Sequence, residues 1–236
     1  LDTRFQNYSD SGQNVIAEIT GTVHPDRILI LCAHYDNMPP TPLAPGSDDN
    51  ASGVCALLEA ARLASGLEFP FTLQLIAFDE EEVGFLGSTA YVDSAYFNIQ
   101  NIVGALNLDM IAWDSNDDGE VSVAVNDASM SLMKDLFQSI RLYQPELSPH
   151  LLINFGGSDH YRFWGRQYES IMLEEDRKDF NSYYHTVNDH VSQINLEYFY
   201  RMTRAALATF FSMAWDFRMQ LAHEPLVSTP MIGTRT

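Results

Sequence analysis

Six short apolar runs punctuate the chain, at residues 15–21 (VIAEITG), 27–33 (RILILCA), 71–78 (FTLQLIAF), 102–110 (IVGALNLDM), 120–125 (EVSVAV) and 168–174 (YESIMLE). The most apolar of them lack the strict alternation of a half-exposed strand, as expected of strands covered on both faces. Between them lie stretches of helical periodicity at 51–64, 129–143 and 196–217. Strand and helix patterns that alternate in this way predict an α/β sandwich built on a largely parallel sheet. No internal repeat and no shift in composition divides the chain, so a single domain over 1–236 is expected. Residues 221–236 (LAHEPLVSTPMIGTRT) carry two prolines and little periodicity, and read as a surface tail.

Open α/β sheets bind ligands beyond the carboxyl ends of their strands. Chemically able residues should therefore gather just after the apolar runs if the chain is an enzyme, and they do. ILILCA leads into His34, Tyr35 and Asp36; FTLQLIAF leads into Asp79, Glu80, Glu81 and Glu82; ALNL leads into Asp109. Asp36 can either back a ring nitrogen of His34 or cap a turn. The segment APGSDDNASG (44–53) opens a helix, and Asp49, Asn50 or Ser52 suits its N-cap. Two adjacent aspartates plus an asparagine exceed what one cap requires, which leaves an acid for a cation. Downstream, SYYHTVNDH (182–190) offers His185, whereas Asp159 and His160 in FGGSDHYRFW (155–164) read as a helix N-cap and a solvated histidine. His34, Asp49, Glu82, Asp109 and His185 together make two imidazoles and three carboxylates, a donor set that suits zinc and, with a shared carboxylate, a pair of zinc ions.

Charge sharpens this picture by exclusion. Thirteen basic against thirty-two acidic side chains give a net charge of −19, which disfavours nucleic acid and anionic membrane surfaces as partners. No run of about 18 apolar residues is present, so no membrane-spanning helix is expected. Cys32 and Cys55 both read as small buried hydrophobes. The chain begins at Leu1 without a signal-peptide pattern and reads as a processed or trimmed form.

HYD, PGSDDNASG, EEVGFLGS, ALNLDM and YHTVND follow one another in an order that resembles the zinc aminopeptidases of the bacterial leucyl aminopeptidase type. The broader superfamily includes glutamate carboxypeptidases and glutaminyl cyclases. The resemblance spans roughly residues 15–215 and implies a three-layer α/β/α sandwich around a mixed, mostly parallel sheet. It further implies two Zn2+ ions per chain. His34 and Asp109 would hold one, Glu82 and His185 the other, and Asp49 would bridge them. Glu81 matches the general base of that family and Asp36 the carboxylate that orients His34. Peptides with a free N-terminus would be the substrates, the chain would act as a monomer, and a location outside the cytoplasm is expected. Phe155, Ile171, Leu173, Phe180 and Tyr184 are the candidates to line the pocket for the first side chain.

One departure from the family pattern concerns the oxyanion. Well-known members place a tyrosine in a disulfide-closed loop before SDH, where this chain reads INFGGSDH. Tyr161, Tyr183 and Tyr184 become the candidates for that role. Glu174, Glu175 and Asp176 read as a solvated loop, with attraction of a basic substrate side chain as the alternative. A glutaminyl cyclase-like acyl transferase with a single zinc fits HYD and LQLIAFDEEE about equally well. Animal-type cyclases carry Trp before the last histidine and an insertion after the paired glutamates, whereas this chain has Tyr184 and no insertion. A metal-free binding domain would be marked by loss of one of the five donors, all of which are present. A carboxypeptidase would need a basic grip, for which Arg162, Arg166 and Arg177 are the available residues.

Overall fold

The computed structural model describes residues 1–39 and 42–215; the expected tail at 221–236 lies outside the described residues. The strands are β1 (Asp2–Asn7), β2 (Gln13–Ile19), β3 (His24–His34), β4 (Phe71–Phe78), β5 (Asn101–Leu108), β6 (Glu120–Val125), β7 (Ser148–Ile153) and β8 (Ser170–Glu175). The helices are α1 (Ala51–Ala64), α2 (Leu86–Phe97), α3 (Met130–Tyr143), α4 (His160–Gly165) and α5 (Leu196–Trp215). The strands form one sheet in the order β1-β2-β4-β3-β5-β8-β6-β7. Its centre, β4-β3-β5-β8, is parallel, while β2 joins β4 and β6 joins β8 antiparallel. The sheet is therefore mixed with a parallel heart.

The side-chain period of two sorts β3 between the two faces. Leu29, Leu31 and Ala33 pack with α1, α3 and α5 on one side, in a core that also holds Phe69, Leu73, Leu106, Leu136, Met202 and Phe210. Ile28, Ile30 and Cys32 face the other way, against Tyr91, Val92 and Ala95 of α2 and Phe163 of α4. Three layers result. Burial on both faces accounts for the unbroken apolar run of β3 and fixes its register, since a one-residue slip would exchange its two faces. Among the described residues no helix is long and apolar enough to cross a membrane.

Three elements carry no clear sequence pattern. The edge strand β1 is almost wholly exposed and held by its pairing with β2, so DTRFQN shows no apolar face. The other edge strand, β7, pairs only with β6 among the described residues and begins at Ser148-Pro149, which reads as a turn. In α2 the buried side is made of Gly87, Ser88, Tyr91, Val92 and Ala95, too small and mixed to show an amphipathic stripe. Cys55 is also a correction: it lies on the exposed side of α1, while Cys32 is buried as expected.

Candidate metal centre

The parallel strands deliver the polar cluster by ending together. His34 is the last residue of β3 and stands in register with Phe78, the last of β4; Leu108 closes the neighbouring β5, and Asp109 follows it. Asn50 caps α1, its Oδ1 accepting from the Gly53 amide at 3.0 Å, while its Nδ2 donates to the Leu108 carbonyl at 2.9 Å. One side chain thus ties the start of α1 to the end of β5 and holds Asp49 beside Asp109. Asp189, far along the chain, accepts from the amides of both Asp48 and Asp49 at 3.1 Å.

The run Asp79–Glu82 divides into scaffold and site. Asp79 accepts from the Gln13 amide, and Glu80 accepts from the Tyr8 hydroxyl at 3.0 Å, so these two acids anchor the β1–β2 hairpin. The turn closes with the Gly84 and Phe85 amides on the Glu81 carbonyl and the Gly87 amide on the Asp79 carbonyl. A Cβ on Gly87 would collide with the Asp79 carbonyl and Asn14, so only glycine fits there. Asp36 faces this turn. Its two oxygens accept from the Glu81 amide at 3.0 Å and the Glu82 amide at 3.1 Å, and its Oδ1 lies 3.4 Å from His34 Nδ1.

Two groups emerge with one member in common: His34, Asp49 and Asp109 form the first, and Asp49, Glu82 and His185 the second. Asp49 Oδ1 lies 3.2 Å from His34 Nε2, and its Oδ2 lies 3.3 Å from His185 Nε2. Asp109 Oδ1 is 3.3 Å from His34 Nε2, and Glu82 Oε2 is 2.7 Å from His185 Nε2. Both groups open onto a cavity of about 230 Å3, which Glu81 also lines. His185 has a positive φ of 55° and stacks on Tyr184 with ring centroids 3.7 Å apart. Such a backbone in a non-glycine residue is costly and is held only where the surroundings demand it.

Acids at this density cannot all ionise unaided. Burial, with Asp109, Asp159 and Glu82 adding to it, pushes Glu81 up to about 10, and burial together with the Asp49 charge pushes Glu82 up to about 7. Burial acts the same way on Asp49, yet hydrogen bonds from His185 and His34 overcome it and hold Asp49 below the usual carboxylate range. Burial opposes a charge on His34, but Asp109, then Asp36 and Asp49, raise it well above an ordinary imidazole; His185 is raised chiefly by its hydrogen bond to Asp49. Two imidazole nitrogens and three carboxylates converging on shared centres fit divalent cations such as zinc. The donor set passes that chemical test without any lysine in the cavity wall.

Support extends one layer outward, through residues that sequence reasoning did not single out. Asp48 accepts from the Ala112 amide and from Asn181 Nδ2; burial, and then the Asp48 charge, raise the Glu175 carboxyl well above the usual range. The doubled acids of SDDN therefore divide, Asp49 facing the cavity and Asp48 facing a neutral Glu175. Asp189 had a signal in the YHTVND motif and Glu175 was read as a solvated acid; Asn181 had no signal.

Several expectations need correction. Ile171 and Leu173 do not line the cavity, because β8 is an interior strand between β5 and β6 and both side chains join the core beneath α3 and α5. Phe155, Phe180 and Tyr184 do line it. Glu174, Glu175 and Asp176 are buried rather than solvated: the first two end that same strand and Asp176 follows it directly. Asp159 stands at the N-cap of α4 but makes no capping bond; it and His160 are fully buried, with His160 Nε2 donating to the Phe155 carbonyl at 2.8 Å. Of the three tyrosine candidates only Tyr184 reaches the cavity; Tyr161 packs against Trp164 and Tyr183 against Trp113. Of the three arginines only Arg177 does. A further group, Glu120, His150 and Asp176, sets a different ring nitrogen toward each acid, at 3.9 and 3.5 Å. Neither is a hydrogen-bond distance, and His150 Nε2 is engaged instead by Ser122 Oγ at 3.0 Å.

A doubly covered sheet bearing two such groups where its parallel strands end defines an α/β/α domain with a candidate metal centre. The chain belongs to peptidase family M28, whose model matches residues 14–210. It is 29% identical over 202 residues to aminopeptidase YwaD of Bacillus subtilis (strain 168), a match covering 80% of this chain and 42% of YwaD. The solved structure of BSAP, a zinc aminopeptidase from Bacillus subtilis, superposes with a TM-score of 0.75 at 26% identity, covering 86% of this chain and 50% of BSAP. Bacteroides thetaiotaomicron glutaminyl cyclase shares the fold, with a TM-score of 0.69 at 18% identity over 89% of this chain and 83% of the cyclase. The chain thus spans half or less of the length of the two Bacillus proteins.

Proposed function

We propose that this domain is an aminopeptidase that hydrolyses the N-terminal peptide bond of peptides with two zinc ions sharing Asp49. The observation that carries the reading is the division of the Asp49 carboxylate, one oxygen toward His34 and the other toward His185, with Asp109 and Glu82 completing the two groups. The names of YwaD and BSAP support it. When bound, the ions would supply Lewis acidity that makes water nucleophilic at neutral pH and polarises the scissile carbonyl. Glu81 belongs to neither group yet lines the same cavity, so it is free to take the proton of the attacking water and return it to the departing amine. Asp36 holds Glu81 in place through its amide. The acidic lining can receive the substrate α-ammonium, and Tyr184, which lines the same cavity, is the candidate to donate to the developing oxyanion.

The test is Glu81→Gln in the zinc-loaded protein. Hydrolysis of aminoacyl anilides should fall by about 10²–10⁴-fold, the usual contribution of a general base, while bound zinc stays at two equivalents. Full activity in this variant overturns the mechanism. Ammonia release from a peptide with N-terminal Gln, without a free amino acid, would instead mark a cyclase.

A further inference from the structure

The cavity has a second wall away from the acid–imidazole cluster, and it is already engaged. Arg177 Nη1 donates to both carboxylate oxygens of Glu174, at 2.6 and 2.9 Å. The guanidinium carbon lies 4.2 Å from the centroid of the Phe155 ring and 5.2 Å from that of Phe180. Glu174 is only 4% exposed, whereas the Arg177 side chain is 36% exposed, so the acid forms the floor and the arginine reaches it from the rim. The Arg177 amide donates to Ser122 Oγ at 3.2 Å, which fixes the stem.

Two aromatic faces leading to a buried carboxylate make a receptor for a guanidinium or an ammonium. Here the occupant comes from the chain itself. We propose that Arg177 determines specificity by filling, with its own guanidinium, the subsite that would otherwise accept the side chain of an N-terminal arginine or lysine. The subsite assignment to a first residue rests on the aminopeptidase reading; its occupancy by Arg177 does not. Plugged in this way, the pocket is shortened and its acid neutralised, so small and medium apolar first residues fit best. A basic first residue meets Arg177, and an acidic one meets Glu174 and the carboxylates of the cluster. Removing the plug leaves a buried acid without its cation, a site that strongly favours an incoming one.

The experiment uses Arg-, Lys-, Leu-, Ala- and Glu-aminomethylcoumarin substrates with the zinc-loaded wild type, Arg177→Ala, and Arg177→Ala combined with Glu174→Gln. Wild type should favour Leu and Ala. In Arg177→Ala the ratio of kcat/KM for Arg to that for Leu should rise about tenfold or more, the scale of one charge-assisted hydrogen-bonded pair, and the added Glu174→Gln should abolish the gain. Ethylguanidinium should raise the Tm of Arg177→Ala and leave that of wild type unchanged. An unchanged Arg-to-Leu ratio, or a wild type that prefers Arg, Lys or Glu substrates, overturns the proposal. The wild-type preference decides even if the variants fold poorly. If wild type hydrolyses none of the panel, the aminopeptidase reading falls, and the ethylguanidinium melt alone decides whether Arg177 is a plug.

Discussion

The two halves of the metal centre are built from different materials. His34 and Asp109 sit on the ends of adjacent parallel strands, and His34 is 1% exposed. Glu82 and His185 come from a turn and a loop, and the His185 side chain is 33% exposed. The strand-borne half is fixed by the sheet ladder and by Asn50, the loop-borne half by side-chain bonds that reach across the chain, from Asp36 to the Glu82 amide and from Asp189 to the Asp48 and Asp49 amides. One half is therefore built on the sheet and the other on hydrogen-bonded turns nearer the solvent, with Asp49 shared between them.

The sharpest way to break this contrast is to delete each imidazole in turn. In the metal-free protein His34→Ala should cost roughly 3–5 kcal/mol, because it strands Asp49 and Asp109 in a buried site. That corresponds to a fall in Tm on the order of 10 °C. His185→Ala, facing solvent, should lower Tm far less; equal losses would mean that the halves are alike. Gly87→Ala should cost about 1–3 kcal/mol by forcing the turn off the Asp79 carbonyl, and it should weaken zinc retention at the Glu82–His185 group more than at the other. Zinc titration of that variant, followed by competition with a chromophoric chelator, reads the two affinities.

A milder probe is pH. Glu81 is held at about 10 and Glu82 at about 7, both above ordinary carboxyls, so the metal-free folded state binds more protons than the unfolded chain. Stability must then fall as pH rises from about 5 to 8. The raised His34 and His185 act in the same direction above their ordinary range. Melts in chelator at pH 5, 6.5 and 8 should give steadily lower Tm, and saturating zinc should flatten the trend; a rise with pH contradicts the assignment. The smallest effect belongs to the far side of the turn. Tyr8→Phe removes a hydrogen bond to Glu80, worth about 0.5–1.5 kcal/mol, and should leave zinc affinity at both groups unchanged.

What the sequence reveals follows the same division. The apolar runs of β3, β4 and β5 mark themselves, and each is followed at once by a polar residue, so His34, Glu81, Glu82 and Asp109 stand out along the chain. The edge strands β1 and β7 bury too little to leave a pattern. The support beneath Asp49 is illegible for another reason: Asp48 meets Asn181 and Asp189 across 133 and 141 residues, and no local spacing encodes such pairings. Ile171 and Leu173 mislead because an interior strand and a pocket wall both favour the same side chains. Glu174–Asp176 mislead because three consecutive acids look solvated when the strand that buries them is read one residue short.

Asp36 has a consequence for how this family can diversify. Its single carboxylate spans from the end of β3 to two successive amides after β4, and so measures the two-residue interval between Phe78 and Glu81. An insertion or deletion there would carry both glutamates out of its reach, whatever residues were used. Length variation among related chains should therefore be absent from this junction and collect in exposed segments such as 65–68, where the Leu67 amide bonds only back to the Ala64 carbonyl. A tally of gap positions, with no residue identities at all, would be enough to locate the centre of the site.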